Sequence, residues 1–460
     1  GGLTLPELYE ESRRSQVRSE NTRRIVQHAA VPNAELDAQL LHRYFEDYID
    51  RGFLPPVTDR RITHNRNAPT NAHPDSELDA SFFTGIMRRF RADNGVEVRK
   101  ATKLDSGSEH SIVSELTSWK FGSSAGLARY RLTVVHEREE PNDLDVIVKS
   151  KARDSHVIDV AEQIACQCSE TLGRAFKRFG RQVGLVNSHV RELAVYRQED
   201  ERFRRHVPQL YGTVQNERQS QWMVIMEDIS KLDMLDTAND VSLWSTKHIE
   251  TVIRGLAQLH SIWYAREAQL SDQPWLGVVT EAEERAEMGA LWSALADFTA
   301  DRFQFETGSS VLALQRKLVE EVGPRSICLE NMTRTLIHND FNSRNIALRR
   351  VGTSHQLCAY DWELATIGVP QHDLAELLCF VLTPHVKRGE LDHYLDLHRT
   401  ALERESGRII DSQEWKLGFQ LSLHDLLIDR LAMYAMIDRF RPQPFLGRVV
   451  GTWRALHELF

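Results

Sequence analysis

Residues 338–345, HNDFNSRN, decide the reading of this chain. A histidine, an aspartate and three asparagines crowd into eight residues, and the apolar IAL of 346–348 follows at once. His338, Asp340 and Asn345 fit H-x-D-x-x-x-x-N. Residues 346–362, IALRR-VGTSH-QLCAYDW, read as a β-hairpin. A hairpin returns on itself, so its far end comes back beside its start. Asp361, 21 residues after Asp340, then shares a small volume with Asn345. Magnesium takes oxygen ligands such as a carboxylate and an amide oxygen. A nearby carboxylate that is not a ligand can accept the proton of an attacking hydroxyl. Alone, the octapeptide also fits an Asx-rich turn ahead of a strand; the added hairpin and its aspartate favour a catalytic loop.

HNDFNSRN, with YDWELA at 360–365 and HDLAELL at 372–378, resembles the aminoglycoside phosphotransferase and choline kinase-like family, relatives of the protein kinases. The resemblance runs from about residue 100 to 440. It implies an α+β, protein kinase-like bilobal fold: an antiparallel-sheet N-lobe over 96–228 and a mostly helical C-lobe over 229–460. Residues 1–95 read as a helical N-terminal extension outside it. By the resemblance, Asp340 is the catalytic base, and Asn345 and Asp361 hold Mg²⁺. His338 supports the loop and Asp373 anchors it from the helix below.

The upstream parts follow from the same resemblance. VIVK ends a β-branched strand, which makes Lys149 the candidate for the α- and β-phosphates of ATP. Glu192, in HVREL, is its expected partner; Glu170 and Glu162 are the alternatives. Glu227 and Ile229 are expected to offer backbone groups to adenine. The phosphate-covering loop is glycine-poor: KLDSGSEHS holds Gly107 between Ser106 and Ser108, and a plain turn is the competing reading. GTP in place of ATP stays open.

Only 12 residues separate Asp361 from Asp373, and no Ala-Pro-Glu follows. That leaves no room for a segment that docks a protein, so the acceptor is expected to be a small-molecule hydroxyl. His424, Asp425 and Asp429 are candidates to face it, although a salt bridge to Arg430 accounts equally well for a charge on so apolar a helix. Two alternatives remain: a kinase of peptide Ser or Thr, and an inactive nucleotide-binding relative. His260, on an apolar helical stripe, reads as a satisfied core histidine.

Composition sets the outer bounds. The chain has 460 residues, 41% hydrophobic and 27% charged, as in ordinary globular proteins. A net charge of -9 speaks against nucleic acid as partner. Residues 231–330 carry 16 acidic and 9 basic side chains, either a solvated helical face or a wall that attracts a cationic, amine-bearing acceptor. Five cysteines without a framework suggest reduced thiols and a cytoplasmic setting. No apolar run is long enough for a membrane span, and GGLTLPELYEESRR shows no secretory signal. Oligomeric state is not legible.

Overall fold

The structure is a computed structural model that describes residues 78–104, 125–136, 139–235, 238–307 and 309–460. Most of the N-terminal extension, together with Ser106, Gly107 and Ser108, lies outside the described residues.

Five strands form one antiparallel sheet: β1 (Val96–Leu104), β2 (Gly126–His136), β3 (Glu139–Lys151), β4 (Leu210–Asn216) and β5 (Gln221–Glu227), in the order β1-β2-β3-β5-β4. Each strand alternates two faces. Val146 and Val148 face outward and pack with Met223, Ile225 and Leu132 under the helix Ala80–Arg91, through Phe83, Ile86 and Met87. That helix therefore belongs to the sheet's own core. Ile147, Trp222, Val224 and Met226 face inward and join the large core that continues into the helical part. Each fully buried aliphatic side chain contributes roughly 1.5–3 kcal/mol. Lys149 and Lys151 alternate with Val148, so they share the inward face with Ile147.

After β3 come two helices, Asp154–Cys168 and Glu170–Phe179. Ser169 breaks the run: its hydroxyl caps the second helix by accepting from Leu172 N–H. Gly173 then lies against Cys166, where an added Cβ would stand 2.5 Å from Sγ. Residues 189–203 split likewise into Ser188–Tyr196 and Glu201–Arg205, the second capped by Asp200.

Past β5 the described chain is mostly helical. Helix Thr246–Ser261 buries Ile249, Val252, Ile253, Leu256 and Leu259, the stripe the sequence spacing predicts. Short strands punctuate the helices: β6 (Thr335–Ile337), β7 (Ile346–Val351), β8 (Ser354–Ala359) and β9 (Thr366–Gly368). β7 pairs with β8, and β6 pairs with β9. This nesting positions the site. The loop 338–345 leaves β6 and enters β7, and the loop 360–365 leaves β8 and enters β9, so the two loops run side by side. Gly368 permits the outer pairing: a Cβ there would sit 2.5 Å from Ile337 Cδ1.

No helix among the described residues is long and apolar enough to cross a membrane. All five cysteines are free thiols.

Candidate active site

Asp373 organises the loop 338–345. It lies in the first turn of helix Gln371–Val381 and is fully buried. Its carboxylate accepts from His338 N–H at 2.7 Å, Asn339 N–H at 2.9 Å and His260 Nε2 at 3.0 Å. Burial works to raise its pKa, but His260, with the His338 and His372 imidazoles nearby, outweighs burial and holds it below the usual carboxylate range. His260 is thus a core histidine with a partner, as the sequence suggests. His338 Nε2 meets Tyr360 O at 2.9 Å and ties the first loop to the second. A carbonyl only accepts, so Nε2 carries the proton.

Asp340 is half-buried at the centre of the loop. Its Oδ1 accepts from Tyr434 Oη at 2.8 Å and Asn342 Nδ2 at 3.0 Å; Oδ2 accepts from Asn345 Nδ2 at 2.8 Å. Burial disfavours the charge, and Arg430 and Arg344 restore it, so the carboxyl stays below its ordinary pKa. Arg430 donates to Asn339 O. Asn342 Nδ2 also reaches Glu376 Oε1 at 3.2 Å. Glu376 is fully buried, and burial beside Asp340 pushes its carboxyl up to about 8.

Asn345 and Asp361 come together through the hairpin. Ile346 pairs with Ala359, and Tyr360 N–H donates to Asn345 O at 3.0 Å, which leaves Asp361 as the next residue. Asp361 has left-handed backbone (φ 68°, ψ 59°), a conformation aspartate tolerates better than most residues. Its Oδ1 lies 2.5 Å from Lys149 Nζ.

Lys149 also pairs with Glu192 Oε1 at 2.8 Å, on helix Ser188–Tyr196. Glu192 is fully buried, and its second oxygen, Oε2, meets Lys151 Nζ at 2.9 Å. Lys151 in turn pairs with Glu363. Burial opposes each of these charges, yet the partners prevail: both lysines hold their protons above the usual range, and Glu192 loses its proton below the usual range. The helix carrying Glu192 is fixed by its neighbour Arg191, also buried, which donates to the carbonyls of Leu276, Gly184, Val186 and Glu363. Lys151, Glu363, Arg191, Tyr434 and Glu376 were not singled out by sequence reasoning. The i, i+2 spacing of Lys149 and Lys151 on one strand face, and of Asp361 and Glu363 in YDWE, was the available signal for the first two.

The remaining expected residues fall elsewhere. Glu227 N–H donates to Gln209 O at 2.9 Å, and its carboxylate binds Arg349 through two contacts of 2.6 and 2.8 Å. Ile229 is buried, and its carbonyl accepts from Leu232 N–H. Asp425 pairs with Arg285 at 3.3 Å and Arg325 at 3.4 Å. The suggested pairing with Arg430 is therefore corrected: Arg430 turns to the loop 338–345. Asp429 stands 3.9 Å from Arg285, and His424 packs on His457. Four acidic side chains of the stretch 231–330 pair with cations outside the loop 338–345. Asp233, Glu250, Glu267 and Asp297 pair with Arg350, His393, Arg334 and Arg316.

The model of the Phosphotransferase enzyme family matches residues 169–406, just over half of the chain. The chain belongs to the Phosphotransferase enzyme family. This phosphotransferase has the bilobal α+β architecture that its sequence motifs imply: a five-stranded antiparallel sheet and a mostly helical second part. Among solved structures it is similar to an ethanolamine kinase of Plasmodium vivax (11% identity, 96% of this chain and 94% of that one, TM-score 0.36). A glucosamine kinase in complex with glucosamine, ADP and inorganic phosphate gives 12% identity, 84% of each chain and a TM-score of 0.40. An aminoglycoside-3'-phosphotransferase of type VIII gives 12% identity, 74% of this chain, 93% of that one and 0.35. No curated protein matches this chain in sequence.

Proposed function

We propose that this phosphotransferase moves the γ-phosphoryl group of ATP to a hydroxyl of a small molecule, with Mg²⁺. The observation that carries the reading is one juxtaposition. Asn345 donates to Asp340 and, through its backbone, pairs with the residue before Asp361, while Asp361 touches Lys149. Candidate base, candidate metal ligands and candidate phosphate cation thus form one continuous set.

The donor chemistry fits magnesium. The Asp361 carboxylate and the Asn345 amide oxygen are hard oxygen donors of the kind magnesium takes, while the neighbouring carboxylates of Glu192 and Glu363 are engaged by Lys149 and Lys151. Asp361 and Asn345 would hold the ion, which when bound neutralises phosphate charge. Lys149, kept in place by Glu192, binds the α- and β-phosphates. The carbonyl of Glu227 and the N–H of Ile229 face adenine at the end of β5. Ser106, Gly107 and Ser108 remain the proposed phosphate cover. Asp340 takes the acceptor's proton as the acceptor oxygen bonds to the γ-phosphorus. The bridging bond to the β-phosphate breaks, and ADP leaves with that electron pair. Positioning and electrostatics supply most of the rate in such a transfer.

The acceptor is small. Residues 361–373 are filled by a turn at Trp362–Leu364, by β9 and by the start of helix Gln371–Val381, with no docking segment between. Asp429 and His424 are half-buried and Asp425 is buried; the Asp429 carboxylate would suit an amine-bearing acceptor, with His424 and Asp425 as the other candidates. ADP release from ATP, measured across a panel of amino alcohols, amino sugars and aminoglycosides, tests the reading. Acceptor-dependent release that Asp340→Asn abolishes supports it. Undiminished release in Asp340→Asn would sink it.

A further inference from the structure

The hydrogen bonds at Asp340 are unequally shared. An ionised carboxylate offers about four lone-pair sites, two on each oxygen. Oδ1 accepts twice, from Tyr434 at 2.8 Å and Asn342 at 3.0 Å, so it is full. Oδ2 accepts once among the described residues, from Asn345 at 2.8 Å, and keeps one site.

The direction of the Tyr434 hydrogen bond is fixed by its surroundings. A phenol has a single proton. Arg344 Nη2 stands 2.5 Å from the Tyr434 oxygen and Asn342 Nδ2 stands 3.3 Å away. Arginine only donates. Asn342 has its own carbonyl oxygen taken up by Arg344 N–H and Nε at 3.1 Å each, so its nitrogen is the end that faces Tyr434 and Asp340. The phenol proton is left for Asp340. Its ring is held as firmly: the Arg344 guanidinium lies 4.8 Å from its centre, and Phe445 and Phe380 stand 5.7 and 6.0 Å away. Burial pushes the phenol's pKa well above its ordinary value, so it remains a donor at every working pH.

We propose that Tyr434 is a positioning residue for the base: its hydroxyl fills Oδ1 of Asp340 and so assigns the acceptor's proton to Oδ2. This rests on the reading of Asp340 as the base. Tyr434 touches neither nucleotide nor acceptor in this role; it fixes which carboxylate atom works and favours the ionised form.

The test is steady-state kinetics of MgATP hydrolysis by the protein, read separately as kcat and KM. Tyr434→Phe keeps the ring and removes the hydroxyl, so kcat should fall about tenfold with KM for MgATP unchanged. Phe445→Leu disturbs the same aromatic packing without touching the hydrogen bond, and its kcat should match wild type. A kcat in Tyr434→Phe equal to wild type, or an equal fall in Phe445→Leu, would overturn the inference alone. The same assay on Asp340→Asn separates the two claims: undiminished hydrolysis there removes the base itself.

Discussion

Lys149 and Asp361 are 212 residues apart in sequence and 2.5 Å apart in space, Nζ to Oδ1. The contact joins the sheet to the loop after β8. The group proposed for phosphate and the group proposed for the metal thus stand side by side. Lys149→Met should keep the fold, because Glu192 retains Lys151. MgATP affinity should fall about tenfold or more, the worth of one charge-assisted contact. Calorimetric titration checks this, and wild-type affinity in the variant would contradict it.

Glu192 answers two lysines at once from a fully buried position. Removing one partner of a buried ion pair costs about 3–5 kcal/mol, because the other charge is left uncompensated. Glu192→Ala should therefore lose that much stability in denaturant unfolding. Glu170→Ala, at an exposed pair with Arg174, should change almost nothing.

Asp373→Ala should loosen the catalytic loop from below. It strands the backbone N–H groups of His338 and Asn339 and the imidazole of His260. Each stranded buried donor costs about 1–3 kcal/mol. Turnover and thermal stability should fall together, whereas Asp340→Asn should lower turnover with little change in unfolding temperature.

Much of this was written locally. The HNDFNSRN loop and the hairpin after it are contiguous, and register alone returns Tyr360 to Asn345. The alternation of β3 was plain, and Lys149 near its end stood out; Glu192, on the third helix after β3, shared the reading with Glu170 and Glu162. What escaped depends on long-range packing. Tyr434 reaches Asp340 from 94 residues away, on a helix that is apolar between Arg430 and Asp438. Glu376 looks like a surface residue of HDLAELL until Asn342 and Asp340 enclose it. Asp425 found Arg285 and Arg325 rather than nearby Arg430, because Arg430 is drawn to the loop. The break at Ser169 was visible as a capping residue, but the apolar period across it masked the stop.

Glu376 gives a pH signature. Its carboxyl titrates at about 8 in the folded chain, against an ordinary 4.5. The folded state therefore binds the extra proton between those values. Its contribution to stability is complete below about pH 4.5 and is lost as pH rises to about 8, at about 1.4 kcal/mol per pH unit. Glu376→Gln mimics the protonated form and cannot titrate. Its unfolding temperature should match wild type near pH 5 and exceed it near pH 8. Parallel curves for the two proteins across that range would count against a neutral Glu376.

The most direct measurement is calorimetric titration of ATP into wild type and Asp361→Ala, each with and without Mg²⁺. The account predicts that magnesium strengthens ATP binding to wild type and that Asp361→Ala loses this gain while still binding metal-free ATP. ATP affinity that responds to magnesium equally in both proteins would contradict a metal-nucleotide site at Asp361 and Asn345.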